Sequence, residues 1–84
     1  MNLDRARQIA DVFYKISPFT AAELTRLLNA EMEEEVYSSR SIGHTLASSS
    51  WARKMPSTIS SLGQWSIINK DDFALWIKIS CAVR

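Results

Sequence analysis

One stretch of this 84-residue chain gathers hydrogen-bonding side chains at a spacing suited to recognition. From residue 37 to residue 55 it reads Tyr-Ser-Ser-Arg-Ser-Ile-Gly-His-Thr-Leu-Ala-Ser-Ser-Ser-Trp-Ala-Arg-Lys-Met. At about 100° per residue, Ile42 and Leu46 share one helical face, and Arg40, Ser41, His44, Thr45 and Ser48 fall opposite. That second stripe is polar, mostly small, and carries donors as well as acceptors. Guanidinium, hydroxyl and imidazole groups so placed reach base edges and phosphates when their helix lies in the major groove of double-stranded DNA. Arg53 and Lys54 then put positive charge at the start of the next element. The plainer reading is a solvated helix face, since polar faces are the default on surface helices.

Other chemistry is poorly supplied. His44 is the single histidine and Cys81 the single cysteine, so the chain provides no metal-ligand set and no intrachain disulfide. Cys81 lies in an apolar segment, where a thiol is buried and inert rather than nucleophilic. The two glycines, Gly43 and Gly63, cannot build a phosphate-binding loop. Asp71 and Asp72 are neighbours in a turn, where solvation is the ordinary explanation. The inventory points away from an enzyme and calls for no cofactor. No apolar run is long enough to span a membrane and the start lacks an apolar signal core, so a cytoplasmic protein is expected.

Net charge is +1, with 10 basic and 9 acidic residues, but the two signs are segregated. Residues 1–35 hold Arg5, Arg7, Lys15 and Arg26 against Asp4, Asp11, Glu23, Glu31, Glu33, Glu34 and Glu35, a net of −3. Residues 36–84 hold Arg40, Arg53, Lys54, Lys70, Lys78 and Arg84 against Asp71 and Asp72, a net of +4. Positive charge therefore gathers in the half that carries the polar stripe. The sum is small, so a monomer should bind a polyanion weakly and with strong salt sensitivity.

Support for the stripe comes from elements on either side, within one domain over residues 1–84. Leu3, Ala6, Ile9, Val12, Phe13 and Ile16 recur at helical spacing, which predicts a helix over 3–16 that stops before Pro18. Thr20 and Glu23 form a capping box, and Phe19 and Leu24 a hydrophobic staple, at the head of a second helix over 20–33 with Leu24, Leu27, Leu28 and Met32 inward. Glu31, Glu33, Glu34 and Glu35 oppose the dipole at its end, so it should fray there. This acidic run reads as a solvated turn, or as a docking edge for a basic partner. Tyr37 and Ser38 repeat the aromatic-hydroxyl entry for a third helix over 38–50. Gly43 inside it is either merely tolerated or allows close packing against the helix before it.

Beyond Ser50 the period changes to two, predicting a β-hairpin over 51–69 with a serine-rich tip at residues 56–63. Its tryptophans, Trp51 and Trp65, suit the core better than base stacking. Residues 70–84 fit two periods. As a helix, Phe73, Trp76, Ile77 and Cys81 share a face, with Leu75, Ile79 and Val83 on a second. As a strand, alternate residues are apolar from Leu75 to Val83. The capping turn of residues 69–72 tips the choice to helix. Either form carries more apolar surface than a domain of this size covers, so Phe73, Trp76, Ile77 and Ile79 are candidates for a homodimer or protein-partner contact.

Helix, capped helix, polar-faced helix and then a hairpin opening on Trp51-Ala-Arg-Lys resembles a winged helix-turn-helix domain over about residues 3–69. Residues 39–47, closing on Trp51 and then Arg53-Lys54, look like the recognition helices of small phage and plasmid replication or regulatory modules. The resemblance implies a mainly α fold with three helices, a wing and a C-terminal segment, the third helix in the major groove and the wing on the DNA backbone or minor groove. By position, Arg40, Ser41, His44, Thr45 and Ser48 would face DNA, and Arg53 and Lys54 would serve the base of the wing. The implied work is transcriptional control or DNA processing in a mobile element. Winged helices also serve as protein-docking modules, so docking on or inhibiting a larger partner is the rival expectation.

Overall fold

The computed structural model describes residues 2–55 and 63–81. In chain order these form α1 (Leu3–Lys15), β1 (Phe19–Thr20), α2 (Ala21–Met32), α3 (Ser39–Ser48), β2 (Ala52–Met55), β3 (Gln64–Ile67) and α4 (Lys70–Ser80). The hairpin tip at residues 56–62 and the end of the C-terminal segment at 82–84 lie outside the described residues.

Every one of these helices starts at a side chain that accepts a hydrogen bond from a first-turn amide. Asn2 takes the N–H of Arg5 at 2.8 Å, Ser38 that of Ser41 at 3.1 Å and Asn69 that of Asp72 at 3.1 Å. Thr20 takes the N–H of Glu23 at 3.2 Å while Glu23 reaches back to the Thr20 amide, completing the capping box. The Asn69 cap resolves the ambiguity of the C-terminal segment in favour of a helix, because it satisfies the Asp72 amide, which a strand would have had to pair elsewhere. α2 stops at Met32, and Glu33 adopts a left-handed conformation with φ 57°.

The core joins all four helices to one face of the sheet. Ala6, Ile9, Ala10 and Phe13 of α1 meet Leu24 and Leu28 of α2, Ile42 and Leu46 of α3, and Phe73, Ala74 and Ile77 of α4. Ala6 and Ala10 turn inward because α1 packs along α4, where short side chains allow close approach. Val12 and Ile16, expected inside from their spacing, are instead about half exposed, at 46% and 50%. Trp51 and Trp65 are buried, as expected, and Trp51 stacks on Phe73 with ring centroids 4.9 Å apart.

The sheet has three antiparallel strands in the order β1-β3-β2, one more than the predicted hairpin. The added strand is the two-residue β1, which pairs Phe19 with Trp65 and Thr20 with Gln64. A strand of two residues has no period to read. Phe19, read as a staple, is also fully buried against Phe13, with ring centroids 4.9 Å apart.

The proposed partner face of the C-terminal segment needs correcting. Phe73 and Ile77 are fully buried in the core and cannot dock anything, and Trp76 is half-buried against Trp51. Only Ile79 of that set is well exposed, at 68%, and its exposed neighbour is Leu75 at 47%. The helical period causes this, because Leu75 and Ile79 leave α4 on the side opposite the buried Phe73–Ile77 stripe. Among the described residues, no helix is long and apolar enough to cross a membrane.

Candidate nucleic-acid interface

α3 is held at three points that fix which way its polar stripe faces. Ile42 and Leu46 anchor its inner side in the core. Its entry is fixed by Asn29 of α2, whose Oδ1 accepts from the amides of Val36 at 3.0 Å and Tyr37 at 2.8 Å, while its Nδ2 donates to the Tyr37 carbonyl at 3.0 Å. The Tyr37 hydroxyl then donates to the Ser80 carbonyl at the end of α4, at 2.8 Å. The Asn29 clamp could not be read from the sequence. An asparagine in the last turn of a helix gives no sign of a contact eight residues on, and the acidic run beside it suggested only a solvated turn.

With its inner side fixed, α3 turns Arg40, Ser41, His44 and Ser48 to solvent and leaves Thr45 half-exposed. His44 sits near the middle of this outer face, diametrically opposite the Ile42–Leu46 stripe. Ala47, which the sequence reading passed over, is also exposed there, seven residues after Arg40 and three after His44. The signal was present in that spacing, but its apolar type hid it. The Thr45 hydroxyl donates back to the Ser41 carbonyl at 3.2 Å, which leaves its oxygen lone pairs able to accept. Among the described residues, none makes a hydrogen bond or ion pair with the side chains of Arg40, His44, Arg53 or Lys54.

Arg53 and Lys54 are both exposed, but they are not equivalent. Lys54 pairs in register with the buried Trp65, and Arg53 with Ser66. Cross-strand partners share a face and successive residues alternate, so the two cations leave opposite faces of β2. A single phosphate track along the hairpin meets one of them more directly than both. On the other side of the helix, His44, Thr45, Ser48 and Ser49 border an open groove of about 410 Å³ whose far wall is Trp51 and Trp76. Trp76 thereby joins the surface beside α3, although its sequence placed it on a separate partner face.

The acidic run is partly neutralised from within. Glu31 pairs with Arg5 of α1, and the guanidinium holds its carboxyl below the ordinary value. Asp11 is likewise held low, by hydrogen bonds from Lys15 at 2.9 Å and Lys70 at 3.2 Å. Glu33, Glu34 and Glu35 remain exposed in the connection leading to α3. Comparison with protein-family models, with curated proteins and with solved structures finds no match to this chain.

Proposed function

We propose that this chain is a winged helix-turn-helix domain that binds double-stranded DNA through the outer face of α3, as a regulatory or DNA-processing accessory factor. The order α1-β1-α2-α3-β2-β3-α4, with the sheet arranged β1-β3-β2, supports the winged-helix reading. The observation that carries the DNA reading is the α3 face itself. Arg40, Ser41, His44 and Ser48 are exposed together on a helix whose position is set by the core and the Asn29 clamp. α3 has ten residues, a length of about 15 Å, which suits a major groove about 12 Å wide. Arg40 and the hydroxyls would contact phosphates or base acceptors, His44 would donate or accept at a base edge, and Ala47 would meet a thymine methyl. Arg53 or Lys54 would hold the backbone beside the hairpin.

A titration of isotope-labelled protein with a mixed-sequence duplex, followed by NMR at low and moderate salt, tests this. The expected shifts fall on residues 40–48, on Arg53 or Lys54 and on the Trp76 indole, and fade as salt rises. Arg40→Ala with Lys54→Ala should weaken binding and flatten the salt dependence. An absence of shifts at low salt would reject the reading.

One observation favours a second reading, a protein-docking module. Val12, Phe13, Ile16, Leu27 and Ala30 line an apolar groove of about 470 Å³ between α1 and α2, with Glu23 and Arg26 at its rim. Its signature in a binding experiment would be shifts in α1 and α2 rather than α3.

A further inference from the structure

α4 carries a small surface that the core and the α3 face leave unexplained. Leu75 and Ile79 lie one turn apart on its outer side, 47% and 68% exposed. Asp71 and Asp72 precede them towards the helix start, Lys78 lies between them along the helix, and all three are exposed. At about 100° per residue these five side chains fall within roughly a third of the helix circumference. The helix dipole by itself favours acids at the start and a base at the end. It does not call for two apolar side chains left in water beside them.

We infer that this face is an interface between two copies of the chain, with the two α4 helices antiparallel about a two-fold axis near Leu75. Such an axis makes a surface meet itself, so the surface must be self-complementary. Turning this one end for end sets Leu75 against Leu75, brings Lys78 of each copy level with Asp72 of the other, and lays the Ile79 side chain beside Asp71. A parallel pairing would instead set acid against acid. The charge order thus selects both the partner, a second copy, and its direction. Asp72 reaches this position with one carboxylate oxygen already accepting from the Asn69 side chain at 3.0 Å, which orients it. The pairing leaves Trp76 and the outer face of α3 uncovered, because they lie on other sides of their helices. It does not rest on the DNA reading.

An eleven-residue helix is about 16 Å long, so one helix pair falls below the standard interface size of about 1,600 Å². The expected dimer is therefore weak, with dissociation on the order of 100 µM. Sedimentation equilibrium on the whole chain up to about 0.5 mM would read it. Ile79→Glu should abolish self-association while thermal melting stays close to that of the unmodified chain. Lys78→Glu alone, and Asp71→Lys with Asp72→Lys, should each be monomeric. A mixture of these two variants should recover association, as a heterodimer only, because the swapped charges then face one another at both ends. A monomer at the highest concentration, or association unchanged by Ile79→Glu, overturns the inference. Failure of the mixed variants to associate, with both folded, overturns the antiparallel arrangement. If the Asp71→Lys, Asp72→Lys variant does not fold, Ile79→Glu and Lys78→Glu still decide whether this face carries the contact.

Discussion

Replacing Asn29 by alanine probes a side-chain clamp that helps tie the α2–α3 connection in place. The side chain is half-buried and makes three hydrogen bonds, two from the Val36 and Tyr37 amides and one to the Tyr37 carbonyl. Each such bond contributes about 1 kcal/mol net, and the cost rises where a backbone group is left without a partner. Asn29→Ala should therefore cost about 2–3 kcal/mol. A domain of this length has a total stability of only about 4–12 kcal/mol, so the loss is a large fraction. At about 4–8 °C per kcal/mol, the melting temperature should fall by roughly 10–20 °C. Thermal melting and urea unfolding measure this, the second as a lower midpoint at an unchanged slope. Asn29→Asp separates the two halves of the clamp. It keeps the acceptor for both amides but faces the Tyr37 carbonyl with an oxygen, so it should also lose stability near pH 7 and regain part of it when protonated. An Asn29→Ala variant within about 0.5 kcal/mol of the unmodified chain would refute the reasoning, since that is the range of a surface change with no special contacts.

Two further predictions concern stability. A Cβ on Gly43 would meet only the Ala21 Cβ, at 4.0 Å, an ordinary contact, so close packing does not require the glycine. Gly43→Ala should raise stability by about 0.5–1 kcal/mol in urea unfolding, and a loss of stability would mean that α2 and α3 approach more closely than this. Asp11 and Glu31 have carboxyls held below their ordinary values by Lys15, Lys70 and Arg5, so their contribution is present above the unfolded values near pH 4 and disappears as pH falls through the lower folded ones. The urea midpoint should drop from pH 5 towards pH 3, and Arg5→Met should shrink that drop; a midpoint flat across the range would contradict the sign.

The capped helices were legible because capping is local. Thr20 with Glu23, and Tyr37 with Ser38, announce their helix starts within four residues, and the structure places α2 and α3 there. The outer face of α3 was legible for a related reason, since Ile42 and Leu46 fix which side is inward. What escaped depended on partners distant in sequence. Ala10 of α1 joins the expected Ala6 on the inward side while Val12 turns out because α4 packs there, and no residue of α1 reveals that. β1 exists only because β3 arrives beside Phe19, and Phe73 and Ile77 are core because Trp51 and α1 cover them. The C-terminal segment was legible only narrowly, for the opposite reason: its apolar residues fit both periods, and the capping turn at Asn69, realised in the fold, is what favours the helix.

The two proposals make a joint demand that neither makes alone. Arg40 with one or both strand cations would neutralise two or three phosphates, which gives one copy a salt slope of only about −2 to −3. A chain with net charge +1 has little else to add. If two copies bind side by side and pair through α4, the slope of the assembled complex should be roughly twice that, about −4 to −6. DNA would then raise the effective concentration of one copy near the other, so a pairing on the order of 100 µM in solution would fill on the duplex at far lower protein concentration. Ile79→Glu lies away from α3 and should leave the affinity of the first copy unchanged while removing cooperativity and halving the slope. A duplex-binding isotherm recorded at several salt concentrations, for the unmodified chain and for Ile79→Glu, reads both quantities. Identical slopes and no cooperativity in either would separate the two surfaces and leave DNA binding, if present, to single domains.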